Sequence, residues 1–341
     1  MVPTGFLPDL KNPNYPCDTD RPKAVGEYLA NRNFLEPDER LRGLTRTGST
    51  ARNATWRVET NTRKFVVKQF RPWSPNGRAA PPPEDRFRAE CQFYRTARIA
   101  DGIARTLPLV LHSDCRAGCM ILEDVGVTAA DLSLTPRDAE ALGWFLVSLH
   151  HHSQSVPASA HYRNEEVLGW QMAHLFHRNR SRTGRGPGRW LRRFAAMSEK
   201  ARHALEDAQA SLENGGTSLV HGDFTPQNWV RAPDGSLRVV DAEFSFFGPP
   251  EFDAGAFLAS LLFLQPGADV LGAGLKVITD GCLNYRARLT AAFAAVHLCE
   301  MLESGVGRAN VPRGSSATAC MKRLVQAAES GSLRSLAASN S

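Results

Sequence analysis

No glycine in this 341-residue chain is followed by a lysine. A phosphate loop of the Walker type needs that dipeptide, so that class of nucleotide site is excluded. An apolar signal core is missing as well. Met1 to Asp20 is rich in Pro, Asn and Asp, and the expectation is a cytoplasmic protein. The apolar stretch Phe257–Leu264 reads as a buried helix and is much too short to cross a bilayer, so no membrane partner is expected. Internal repeats are absent. The seven cysteines, at 17, 91, 115, 119, 282, 299 and 320, are scattered and odd in number, which suits reduced thiols. Cys115 and Cys119 stand four apart with no second pair nearby, and packing accounts for them better than zinc.

What is present is ordinary in bulk and uneven in detail. A 42% hydrophobic share and this length allow two substantial cores. The net charge of +6 is concentrated between His177 and Phe194, where Arg178, Arg180, Arg182, Arg185, Arg189, Arg192 and Arg193 occur without an acid. Nucleic acid is disfavoured as their partner, because Trp190 is the lone interleaved aromatic before Phe194. Gly184, Gly186, Pro187 and Gly188 read as a surface connection. His150, His151 and His152 end an apolar helical pattern over Glu140–His150, where they are expected to cap carbonyls and face solvent.

The densest signal runs from Leu219 to Asp253, LVHGDFTPQNWVRAPDGSLRVVDAEFSFFGPPEFD. Leu219-Val220 reads as the end of a buried strand, and His221-Gly222-Asp223 as the tight loop after it. Pro233-Asp234-Gly235 is a hairpin turn signal, and Leu237–Val240 the returning strand that ends in Asp241. Strands joined this way bring Asp223, Asn228 and Asp241 to a common site, with Glu243 two residues further on the same side. One carboxylate to hold an attacking hydroxyl and others to hold metal is what Mg-nucleotide phosphoryl transfer requires. A rival reading of Glu243 is a salt bridge to Arg57 or another arginine. Asp253, at a helix start, is expected to hydrogen-bond the loop.

HGDFTPQN resembles the catalytic loop of the aminoglycoside phosphotransferase and choline kinase superfamily, and Asp241-Ala242-Glu243-Phe244 with Phe247-Gly248-Pro249 resembles its 5-methylthioribose kinase branch. The resemblance spans residues 25 to 315. It implies an α+β, two-lobed protein-kinase-like fold: an antiparallel-sheet lobe over residues 1–124, with 1–24 irregular, and a mainly helical lobe over 125–341. It implies ATP and Mg²⁺ as cofactors and a hydroxylated small molecule as partner, in a monomer or homodimer. Asp223 becomes the catalytic base, and Asn228, Asp241 and Glu243 the metal ligands.

The same resemblance assigns the amino-terminal half. Lys68 lies near the end of the strand Lys64–Phe70 and would pair with Glu90 of a helix to grip the phosphates, Glu84 being a competitor for that role. Asn53 falls on an amide that approaches the nucleotide, in the glycine-poor segment Thr47–Val58. Met120–Gly126 matches the hinge whose backbone binds adenine, which puts Glu123 and Val125 at the nucleotide while the side chains of Glu123 and Asp124 are solvated. Two departures count against methylthioribose itself. Glu303 and Ser304 align with a pair of arginines, and Asn228 stands where that branch has serine. Glu251, Glu300 and Glu303 could line an acidic acceptor pocket. The resemblance leaves two readings: a kinase acting on a sugar, nucleoside or hydroxylated natural product, an antibiotic included, or a catalytically silent nucleotide-binding module.

Overall fold

The computed structural model describes residues 16–17, 21–47, 53–72, 80–126, 133–176, 188–264, 267–304 and 315–337. Five antiparallel strands form one sheet: β1 (Leu41–Thr47), β2 (Asn53–Thr60), β3 (Lys64–Phe70), β4 (Val110–Asp114) and β5 (Cys119–Glu123), in the order β1-β2-β3-β5-β4. In β2, Ala54, Trp56, Val58 and Thr60 are buried while Thr55, Arg57 and Glu59 are not, the two-residue period of a strand with one covered face. Helix α1 (Pro22–Asn31) covers that face, packing Val25, Tyr28 and Leu29 with Trp56, Val58, Phe65, Val67 and Ile121.

The opposite face takes α2 (Pro83–Ala97). A proline at its start and Glu84 and Asp85 in its first turn favour initiation there. Its buried positions, Arg86, Phe87, Glu90, Phe93, Tyr94 and Ala97, recur at the spacing of one helix face. Two of them are charged, which an amphipathic face tolerates only with partners in place. Lys68, facing Thr55 on one side and Met120 on the other, lies in the middle of the sheet.

After a short α3 (Asp101–Thr106) and the strands β4 and β5, the chain is mainly helical. Helix α4 (Pro136–Ser153) begins with a reciprocal cap between Thr135 and Asp138 and is longer than its apolar spacing suggested. Helices α5 (Glu165–Leu175), α6 (Gly188–Met197) and α7 (Glu199–Asn214) follow. In α6, Phe194 enters the core while Arg192 and Arg193 are exposed. Arg178, Arg180, Arg182 and Arg185 lie outside the described residues, as does the Arg189 side chain.

Two short ladders come next. β6 (Ser218–Val220) pairs with a later strand, β9 (Phe246–Gly248), and β7 (Trp229–Arg231) pairs with β8 (Leu237–Val239) across the expected turn at Gly235. β8 stops one residue earlier than read: the Val240 amide still bonds the Asn228 carbonyl in register at 3.0 Å, but the Asn228 amide turns back to the Thr225 carbonyl at 2.9 Å. Arg231 locks this hairpin to the start of α4 through a two-pronged ion pair with Asp138, at 2.8 and 2.9 Å.

Helix α8 (Glu251–Leu264) is buried from Glu251 through Phe263, so no polar stripe marks it in sequence. It lies against α10 (Ala287–Ser304), with α9 (Ala268–Asp280) against α4 and α11 (Ser315–Ser330) closing the far side. One large apolar cluster joins Phe70, Phe87 and Phe93 to Phe224, Trp229, Phe257 and Phe293. The sheet and the helical part therefore share a core. Among the described residues no helix is long and apolar enough to cross a membrane.

Candidate active site

The loop after β6 is shaped by backbone demands before any chemistry enters. Gly222 has φ +83°, and a Cβ there would meet the Phe244 carbonyl oxygen at 1.9 Å. Only glycine fits. Gly222→Ala should therefore leave little soluble, folded protein, measured as yield and far-UV circular dichroism; a normally folded alanine variant would refute this account of the loop.

Asp253, in the first turn of α8, accepts from the His221 amide at 2.5 Å and the Gly222 amide at 3.1 Å. Its carboxyl is buried, which alone would raise its pKa; His150, His221 and the amide bond from His221 outweigh that and hold it below the ordinary value. The expectation that Asp253 braces the loop holds. The expectation for His150 does not, since its ring is wholly buried, 3.4 Å from Asp253 and 2.9 Å from the Tyr285 hydroxyl. His151 and His152 are exposed as anticipated. His221 is kept below its usual pKa by burial, and its Nδ1 accepts from the Asp223 amide. The proton of the neutral ring then sits on Nε2, which donates to the Val240 carbonyl at 3.1 Å. Asp223 is partly exposed, and its backbone carbonyl accepts from the Asn228 amide nitrogen at 2.7 Å. That leaves the Asn228 oxygen as the acceptor of its side chain.

Strand β8 delivers Asp241 to the same place. Its φ of +67° is a left-handed conformation that aspartate tolerates better than most residues. Lys68 bridges Asp241, at 2.5 Å, and Glu90. Burial would lower the Lys68 pKa, but the carboxylates of Asp241, Glu90 and Glu243 overcome it and the ammonium is held above its ordinary value. Burial pushes Glu90 up to about 7 against the pull of Lys68. Carboxylate oxygens of Glu90, Asp241 and Glu243 lie within 4.8 Å of one another. Glu90 Oε1 is buried with no hydrogen-bond partner among the described residues. Glu84, on the first turn of α2, is only partly buried.

The arginine that meets Glu243 is Arg86, not Arg57: Nη1 to Oε2 is 2.8 Å, with both side chains fully buried. Asn53 donates to the same Glu243 oxygen at 2.7 Å and accepts from Arg86 at 2.9 Å. Nothing in the sequence reading flagged Arg86, although it sits one turn before Glu90 on the inward face of α2. Arg57 instead binds Asp124 at 2.6 Å and the Gly126 carbonyl. Asp124 is thereby engaged rather than solvated, and the Glu123 carboxylate likewise accepts from the Leu109 amide at 3.0 Å. Val125 is buried beside them. Residues 48–52 of the glycine-poor segment Thr47–Val58 lie outside the described residues.

A second cluster faces the loop from α5 and α10. Trp170 stacks between Phe244 and His174, with ring centroids 5.1 and 4.4 Å away, and His174 contacts Glu300 at 3.0 Å. Glu251 is no pocket acid, because it is buried in an ion pair with Arg286. His297 interacts electrostatically with Asp253 and Asp223, yet burial brings its pKa from the ordinary 6.5 to about 4. The unfolded chain then binds a proton more readily than the folded one, so this contribution is complete above pH 6.5 and is lost as pH falls through 4. The shift corresponds to about 3 kcal/mol. Thermal unfolding from pH 7 to 4.5 should show a shallower loss of Tm for His297→Phe than for the wild type; equal slopes would contradict it.

Residues 43–283 match the profile of the Phosphotransferase enzyme family. The chain is 38% identical over 78 residues to the methylthioribose kinase of Cronobacter sakazakii, 22% of this chain and 19% of that protein. It thus spans less than a fifth of the length of the curated relatives it matches. In fold it is similar to the choline kinase LicA from Streptococcus pneumoniae, with a TM-score of 0.53, 14% identity and coverage of 90% of this chain and 98% of that one. The aminoglycoside phosphotransferase from Alicyclobacillus acidocaldarius gives 0.50 at 14% identity, over 89% of this chain and 93% of that one. The α+β, two-lobed protein-kinase-like architecture is the one these enzymes share.

Proposed function

The chain belongs to the phosphotransferase enzyme family, and from that membership we propose that it transfers the γ-phosphoryl group of ATP to a hydroxyl of a small molecule. The observation that carries the reading is the convergence of Lys68, Glu90, Asp241 and Glu243 from three separate segments beside the loop that bears Asp223. A silent module has no use for so expensive a concentration of buried charge. The lobe division falls at residue 124/125, and the segment Glu123–Val125 holds the nucleotide base through its backbone.

In this reading Lys68, oriented by Glu90, binds the nucleotide phosphates. Asp223 holds the acceptor hydroxyl and takes its proton as the new O–P bond forms and the bond to the leaving ADP oxygen breaks. The crowded carboxylate oxygens, one of them buried without a partner among the described residues, fit a hard divalent cation such as Mg²⁺. Asp241 and Glu243 would hold it, with the Asn228 amide oxygen as a further donor. Bound there, Mg²⁺ supplies charge neutralisation for the transferred group.

The acceptor is a sugar, a nucleoside or a hydroxylated natural product, antibiotics included, held between the loop and the Trp170–His174–Glu300 wall. Glu303 and Ser304 in place of paired arginines, and Asn228 in place of serine, argue against methylthioribose. ATP consumption across sugars, nucleosides, aminoglycosides and amino alcohols tests this. One class should raise turnover well above the rate with water as acceptor; no ATP binding and no turnover on any of them would defeat the proposal.

A further inference from the structure

Arg86 is the largest fully buried charged side chain among the described residues, and it spends four of its five N–H donors on four different segments. Nη1 reaches Glu243 after β8 and Asn53 at the start of β2; Nη2 reaches the Arg71 carbonyl at 2.5 Å, and Nε the Pro81 carbonyl at 3.2 Å. Asn53 closes the figure by donating to the same Glu243 oxygen. The result is a triangle of Arg86, Asn53 and Glu243 in which two corners belong to the sheet-bearing half and the third to the helical half. Burial of a charged pair is costly unless hydrogen bonds accompany it, and here the guanidinium makes four.

The position of this triangle gives it a consequence for the reaction. The Glu243 carboxylate is the third acid of the cluster with Glu90 and Asp241. Lys68 answers the charge of the other two, and Arg86 answers that of Glu243. We propose that Arg86 is a positioning residue for phosphoryl transfer, which fixes Glu243 across the junction of the two halves and, by neutralising it, sets how strongly the site attracts a divalent cation. This rests on the phosphotransferase reading. Asn53 serves the same end from the phosphate side, holding Glu243 rather than reaching outward alone. A guanidinium is required because an ammonium is a single point of charge and cannot span Glu243, Asn53 and two carbonyls together.

Three variants separate this role from a merely structural one. Arg86→Lys keeps the charge and loses the fork. Arg86→Met leaves Glu243 buried against Asp241 and Glu90 without its cation. Arg86→Met with Glu243→Met removes both charges at similar volume, which restores stability after replacement of many buried ion pairs. Three quantities are read: Tm without nucleotide, Mn²⁺ binding to the nucleotide-free protein by electron paramagnetic resonance, and ATP hydrolysis with water as acceptor. Arg86→Lys should fold and lose roughly 10- to 100-fold in turnover, the cost of a displaced supporting group. Arg86→Met should lose roughly 10 °C in Tm while binding Mn²⁺ more tightly than wild type. The double variant should regain the Tm but not the turnover.

A double variant with wild-type turnover would reduce Arg86 to packing and overturn the proposal. Unchanged Mn²⁺ affinity in Arg86→Met, or unchanged turnover in Arg86→Lys, would overturn it also. A wild-type protein that neither binds nor hydrolyses ATP defeats the phosphotransferase reading instead, so the two failures are distinct.

Discussion

Asp223→Asn should reduce transfer to the true acceptor by roughly 100- to 10,000-fold, the usual contribution of a general base, while nucleotide affinity and Tm stay close to wild type. The reason is how the loop is built. The bonds that hold it in place run through the backbone of Asp223, whose amide donates to His221 and whose carbonyl accepts from Asn228. The brace behind it is Asp253, bound to the two preceding amides. The Asp223 carboxylate accepts a 3.3 Å bond from the Thr225 hydroxyl, which an asparagine oxygen accepts equally well. The substitution removes the ability to take a proton while leaving these backbone bonds in place. Single-turnover transfer, nucleotide titration by fluorescence and thermal unfolding on the same preparation check it. Near-normal turnover would take the base role away from Asp223, and a collapse of Tm would mean that its carboxylate is structural after all.

The placement of residues 219–243 was legible in the sequence because it is local. A turn, a short hairpin and a strand end set the relative positions of Asp223, Asn228 and Asp241 within some twenty residues, and the register found in β7 and β8 agrees. Lys68 and Glu90 were legible for another reason: each lies on an element with clear periodicity, and the sheet and α2 bring them together. What stayed hidden depends on contacts between distant segments. Arg86 looks like one more arginine in the charged string Glu84–Arg88 until the face of α2 is known. His150 looks like the end of a solvated His triplet until Asp253 and Tyr285 close around it. In the first turn of α8, Asp253 was legible as the brace of the loop, which its bonds to the His221 and Gly222 amides bear out, whereas Glu251 looks like a pocket acid until Arg286 is found to bury it in an ion pair. Strand β9 was missed because three residues, Phe246–Gly248, carry no periodic signal, and only the complementary edge of β6 makes them a strand.

Asp241→Asn should lower Mg²⁺-dependent transfer by at least roughly 1,000-fold, equivalent to about 4 kcal/mol of transition-state stabilisation. Asparagine is the informative substitution, because residue 241 has φ +67° and asparagine enters that region about as readily as aspartate, whereas alanine would add backbone strain. The shape is then preserved while one of the two carboxylates that hold Lys68 is neutralised. Lys68 keeps its contact with Glu90, so nucleotide should still bind, now with weaker dependence on divalent cation. Glu243→Gln should differ in kind. Its carboxylate is shared with Arg86 and Asn53, so the loss there falls partly on stability, with a milder fall in turnover and a raised Mg²⁺ requirement. Activity measured against Mg²⁺ concentration for both variants, alongside nucleotide binding with and without EDTA, separates the two cases. If Asp241→Asn retained wild-type turnover at wild-type Mg²⁺ concentrations, Asp241 would be no more than the counter-ion of Lys68, and the cation would have to be held by Glu90 and Glu243 instead.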